Sequence, residues 1–251
     1  MTPMPKLVCP LLLCLFCWTA QAAATAVAPF ELVTADLNPY AIDKHPEAPG
    51  ALVELVESLA QKLGHEQKVS FFPWARAVAT AQNQSRTAVL PLTRSPEREA
   101  KFQWLVKLYP VRFVFITRTD QNKDANTVEQ ARKLSITVLR GALNFDQLLK
   151  HDFDKDKIIQ ETTIENAFKA LDHGMVDAYY GPEAVGLTTL HNSGRKMKDY
   201  QVGLVLEQNE IWLAAGNGFT DPEIKWMQQS FDAMKKDGTY GRVLKKYHLP
   251  E

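Results

Sequence analysis

Short apolar, β-branched runs alternate along this chain with stretches of helical period, and that alternation restricts the fold more than any other feature. Phe30-Glu31-Leu32-Val33-Thr34 suits a first strand. From Gly50 onward, Leu52, Leu55, Val56, Leu59 and Leu63 recur on one helical face, with Glu54, Glu57 and Lys62 off it. Gly64 is placed to end that helix. Val69 to Phe72 reads as a second strand, Pro73 opens a helix through about Ala81, and Ala88 to Pro91 reads as a third strand. Parallel strands need long crossover connections, usually helices, so this repetition predicts the α/β class.

The middle of the chain departs from that rhythm. Trp104 to Tyr109 and Val111 to Thr117 are long apolar stretches with Pro110 between them, and they are expected to carry the chain from one lobe into another. After Arg118 the alternation restarts. Thr127 caps a short helix, Ser135 to Leu139 is a strand, and Arg140-Gly141 turns into a helix from Leu143 to Lys150. Ile158 to Gln160 is a strand, Thr163 caps a helix to His173, and Met175 to Tyr180 is another strand. Gln201 to Leu206 reads as a return crossing and Ile211 to Gly216 as the last strand. Thr220-Asp221-Pro222-Glu223 then starts a helix to Lys236, with cap and proline in register.

The N-terminus reads as a secretory signal. Lys6 gives a positive start, Leu7 to Trp18 is an apolar core, and Ala20-Gln21-Ala22 is a small-x-small cleavage site. Residues 1–24 are assigned to the signal peptide. The core is too short to span a bilayer, which takes about 20 residues. Cleavage before Ala23 removes a single lysine and no acid, which leaves one net negative charge on a chain otherwise balanced at 29 basic and 29 acidic residues. No basic footprint for nucleic acid is present. All three cysteines fall within that leader, so no thiolate chemistry or disulfide framework is expected in the remainder. No Gly-x-Ser-x-Gly elbow, Walker loop or paired histidines at metal-ligand spacing occur, so no cofactor and no metal are expected.

The candidate site lies in Leu90 to Trp104. A strand there runs into Ser95-Pro96-Glu97-Arg98, where Ser95 is placed as an N-cap and Pro96 as the first helical residue. Ligands of open α/β sheets bind at the carboxyl ends of strands. Arg94 and Arg98 could grip a carboxylate there through charge-assisted hydrogen bonds, or could be surface arginines beside a turn.

This stretch resembles the corresponding segment of the bacterial periplasmic solute-binding proteins of family 3, the amino-acid-binding type. Phe72-Pro73-Trp74-Ala75-Arg76-Ala77 resembles a subset of the same family. Gly174 to Ala178 and Lys235-Lys236-Asp237-Gly238-Thr239-Tyr240 are similar to two further family patterns. The similarity runs in pieces from about Phe30 to His248. It implies a type II periplasmic binding fold: two lobes, each a mostly parallel sheet flanked by helices, joined by two crossover strands. Lobe one would comprise 27–112 plus 207–251, and lobe two 113–206.

By the same resemblance, Arg98 would hold the ligand's carboxylate and Ser95 would lie beside it, with Arg94 as a second cation. Tyr40 and Trp74 would wall the pocket, and Arg140 and Glu183 would contribute from lobe two. The pattern departs from the family in two places. Gly141-Ala142 replaces the usual Gly-Thr, and Gly181-Pro182-Glu183 stands where an amine-binding aspartate is usual. The second departure puts a plain α-amino acid ligand in doubt, and amino acids, their derivatives and other small carboxylates stay open. The implied function is periplasmic binding, by cleft closure, of a small polar carboxylate-bearing solute, an amino acid or a related compound, for delivery to an ABC transporter through an inner-membrane permease. The expected protein is a monomer without enzymatic activity, and it inserts in no membrane after signal removal. A periplasmic sensor, or a dehydratase-like enzyme on the same fold, is the alternative.

Overall fold

The computed structural model describes residues 27–251. The segment read from the sequence as a signal lies outside them. The described chain begins with β1 (Glu31–Thr34), α1 (Ala51–Lys62), β2 (Val69–Phe71), α2 (Trp74–Asn83) and β3 (Thr87–Thr93). A 3-10 turn (Pro96–Arg98) leads into the long strand β4 (Gln103–Arg118). Then come α3 (Val128–Ala131), β5 (Ile136–Leu139), α4 (Asn144–Lys150), β6 (Ile158–Glu161), α5 (Ile164–Asp172), β7 (Ala178–Pro182) and α6 (Glu183–Asn192). The chain returns along β8 (Tyr200–Ala215) and closes with α7 (Asp221–Lys236) and α8 (Thr239–Lys246).

All strands join one eight-stranded sheet in the order β2-β1-β3-β8-β4-β7-β5-β6. The outer strands pair in parallel, β1 with β2 and β3 on one side and β5 with β6 and β7 on the other. Between them β4 and β8 run antiparallel along their whole length. The sequence suggests separate strands on each side of Pro110, but β4 is a single strand of 16 residues. Pro110 sits within it, paired opposite Glu210. The return is likewise one strand, β8, rather than two.

The local signals explain most boundaries. Leu52, Leu55, Val56 and Leu59 of α1 are fully buried, each worth about 1.5–3 kcal/mol relative to exposure. All seven residues of β3 are buried, as a strand covered on both faces requires. Thr127 and Thr220 each close a reciprocal capping box, with Gln130 and Glu223. Two expectations shift. Ser95 occupies the N-cap position, but its side chain makes no cap hydrogen bond. The strand expected from Met175 begins instead at Ala178 and runs through Pro182, with Met175 68% exposed. Asp177, just before it, is held by the Ser135 backbone N–H and hydroxyl, which donate to its carboxylate at 2.8 and 2.9 Å.

Candidate ligand-binding site

Two pairs of parallel strands, β1 with β3 and β5 with β7, run in opposite directions and bring their carboxyl ends to a common space. The loop after β1 brings Leu37 and Tyr40, and β3 brings Pro91 and Thr93 with Arg98 just beyond. The turn after β5 brings Ala142, Leu143 and Asn144, and the end of β7 brings Pro182, with Val185 on α6. Trp74 and Ile164 enter from the first residues of α2 and α5, and Phe113 and Ile211 from the crossing strands. This is the location that open α/β sheets reserve for ligands. The space is small, about 40 Å³, and its walls are mostly apolar.

Arg98 is the charged group in that lining. Its Nη1 donates to the Thr93 carbonyl at 3.0 Å, and its Nη2 reaches the Gly141 carbonyl at 3.4 Å. One guanidinium thus touches backbone from both halves of the molecule. It forms no ion pair among the described residues. Burial pulls its pKa below the ordinary arginine value, against the opposing charges of Asp146 and Glu97. An arginine starts so high that the group remains cationic. A half-buried cation held only by carbonyls has donors to spare, since a guanidinium carries five N–H bonds. Trp74 is also buried, and its indole N–H has no partner.

The two halves meet tightly beside Arg98. Gly141 has φ +76°, and a Cβ placed there would lie 2.8 Å from the Ala75 side chain and 3.0 Å from its Cα. Glycine lets the β5 turn press against the start of α2. Asn144 is buried, and its Nδ2 donates to the Tyr180 carbonyl at 2.9 Å.

The family model for bacterial extracellular solute-binding proteins, family 3, matches residues 32–250. The chain belongs to this family. Among solved structures, a mutant of ArgBP from T. maritima aligns with TM-score 0.75 and 19% identity, covering 87% of this chain and 95% of that one. A substrate-binding protein of an ABC uptake transporter from Streptococcus pneumoniae, solved with histidine, aligns with TM-score 0.77 and 15% identity, covering 87% and 91%. An ancestral amino-acid-binding protein, described as a precursor of cyclohexadienyl dehydratase, aligns with TM-score 0.74 and 20% identity, covering 87% and 94%. At these identities the likeness speaks for the fold, the type II periplasmic binding architecture. A search of curated proteins returned no match.

Within this solute-binding protein, Arg98, Tyr40 and Trp74 line the interior cavity together. The other residues singled out from the sequence lie elsewhere. Arg94 gives both faces of its fork to Glu99, at 2.7 and 3.0 Å, and stacks over Trp104 and Trp212. It is already paired and is not in the cavity lining. Ser95 is buried outside that lining. Arg140 is exposed and donates to the Gln160 carbonyl at 3.2 Å. Glu183 is the first residue of α6 and lies 3.3 Å from the Arg112 guanidinium. It lines a different and much larger groove, about 990 Å³, together with Tyr109 to Arg112, the α6 face and the C-terminal tail.

Thr93, Leu143, Phe113 and Val185 were not anticipated as lining residues. For Thr93 a signal existed, because it ends a strand whose successors were already suspected. The others are ordinary apolar residues, and only their place after a strand end marks them. Among the described residues no cluster of three or more potential metal ligands occurs, and no helix is long and apolar enough to cross a membrane.

Proposed function

We propose that the exported chain captures a small carboxylate solute in the cavity beside Arg98 by hinge closure and delivers it to an inner-membrane ABC permease. The lobes would be 27–112 plus 207–251, and 113–206, with β4 and β8 as the connection. The single observation that carries this reading is a cation facing an interior space between the halves with only backbone carbonyls as partners. A ligand carboxylate would complete its coordination by paired, charge-assisted hydrogen bonds. Thr93 and the indole N–H of Trp74 would add polar contacts, and Tyr40 and Phe113 would pack on the rest of the ligand.

The test is calorimetric titration of the chain lacking residues 1–24 with a panel of small carboxylates, followed by analysis of the recovered ligand. Intact ligand and a loss of about tenfold to a hundredfold in affinity for Arg98→Ala support the reading, since a hydrogen bond to a charged group is worth about 1.5–3 kcal/mol. Unchanged affinity in that variant would end it.

A further inference from the structure

We infer that the Arg98 cavity selects carboxylates that lack an ammonium group, namely small monocarboxylic acids with a short uncharged tail. The inference deepens the carboxylate role proposed for Arg98 and rests on it. Four observations lead there.

The first concerns charge. Arg98 is the one charged side chain in the lining, and the acids whose charge it feels, Asp146 and Glu97, lie outside that lining. A zwitterionic amino acid would bring a second cation within a few ångströms of the guanidinium. Like charges at that separation oppose each other, and no carboxylate lines the cavity to offset the ammonium.

The second concerns hydrogen bonding. Trp74 offers an N–H without an acceptor, and Arg98 has more donors than the two it spends. The cavity therefore seeks acceptors. The Thr93 and Gly141 carbonyls, which an ammonium could otherwise use, already accept from Arg98.

The third concerns Glu183, the acid nearest in sequence to the lining. Its neighbour Pro182 faces the cavity, while Glu183 lines the outer groove, 3.3 Å from Arg112. Bringing it inward would require that pair to break.

The fourth concerns the tail. Leu37, Trp74, Phe113, Leu143, Val185 and Ile211 supply an apolar wall. The volume of about 40 Å³ holds roughly three water-sized bodies, taking about 10–15 Å³ for each. A short chain fits this space, whereas a long or charged one does not.

The experiment titrates the unmutated mature chain with matched pairs that differ only in the amine, such as acetate with glycine and propionate with alanine. The expected result is that the amine-free member binds at least tenfold more tightly, with its affinity lost in Arg98→Ala. If the amino acid of a pair binds as tightly or more tightly, and that binding depends on Arg98, the carboxylate role stands and this inference falls. If neither member of any pair binds at millimolar concentration, both fall. The comparison within each pair uses one folded protein, so no variant's stability enters it.

Discussion

Two spaces adjoin the crossing strands, and they differ in almost every respect except that Tyr40 lines both. The outer groove encloses about 990 Å³ and the inner cavity about 40 Å³. The groove is rich in charge, but several of those charges are matched. Glu183 meets Arg112, Glu210 meets Lys107, and Lys246 meets Glu54. The cavity has a single cation, and it is unmatched. Size therefore points to one space and unsatisfied chemistry to the other. An ion pair in a wide, solvated groove is worth little and seeks no third party. A cation turned inward with spare donors does seek one.

The contrast can be tested by changes ordered by their expected effect. After Arg98→Ala, the largest is Gly141→Val. Its φ of +76° and the 2.8 Å approach to Ala75 leave no room for a side chain. We expect about tenfold weaker ligand binding by calorimetry, with a stability loss of about 1–3 kcal/mol from the strained backbone. Full affinity in this variant would mean that the β5 turn and α2 do not meet in the bound form.

Next is Asp172→Asn, at a residue that lines neither space. Burial there opposes the charge, but hydrogen bonds from Tyr200 and Arg195 and the nearby Arg195 and Arg118 cations prevail, so the carboxyl sits below its ordinary pKa. A pKa depressed by folding stabilises the protein above the unfolded value, about 3.9, and that contribution disappears as pH falls through the folded value. The variant should melt a few degrees lower at pH 6. The gap should close as the solution is taken below about pH 4, and ligand affinity should not change. A gap that widens on acidification would refute the sign.

The smallest effect is expected from Glu183→Gln. If the groove is not the site, affinity should change by less than about twofold, and stability should stay within about 0.5 kcal/mol, as for other exposed ion pairs. A tenfold loss here would move the site outward and reverse the contrast.

The fold was largely legible in the sequence, because helix caps, glycine stops and apolar periodicity act locally. Thr127, Thr163 and Thr220 each cap where local chemistry places them. The crossing strands were harder to read. A proline usually ends a run, yet Pro110 lies within a continuous ladder whose neighbours on both sides remain paired with β8. The site was legible only in outline. Strand ends are visible in sequence, so Arg98, Tyr40 and Trp74 could be named as candidates. Which of two neighbouring arginines turns inward depends on Glu99 and on two tryptophans, one of them more than a hundred residues away, claiming Arg94. That competition is tertiary and leaves no periodic trace. The same holds for Glu183, whose direction is set by Arg112 on another strand.

The long antiparallel pairing of β4 with β8 has a mechanical consequence. Around its midpoint, Tyr109, Pro110, Val111 and Arg112 face Ile211, Glu210, Asn209 and Gln208 rung by rung. A two-stranded ribbon resists being pulled apart but twists readily. In the closure proposed above, motion between the halves would be torsional and spread over many residues, and Pro110, with no amide hydrogen to give, would soften the centre of that torsion bar.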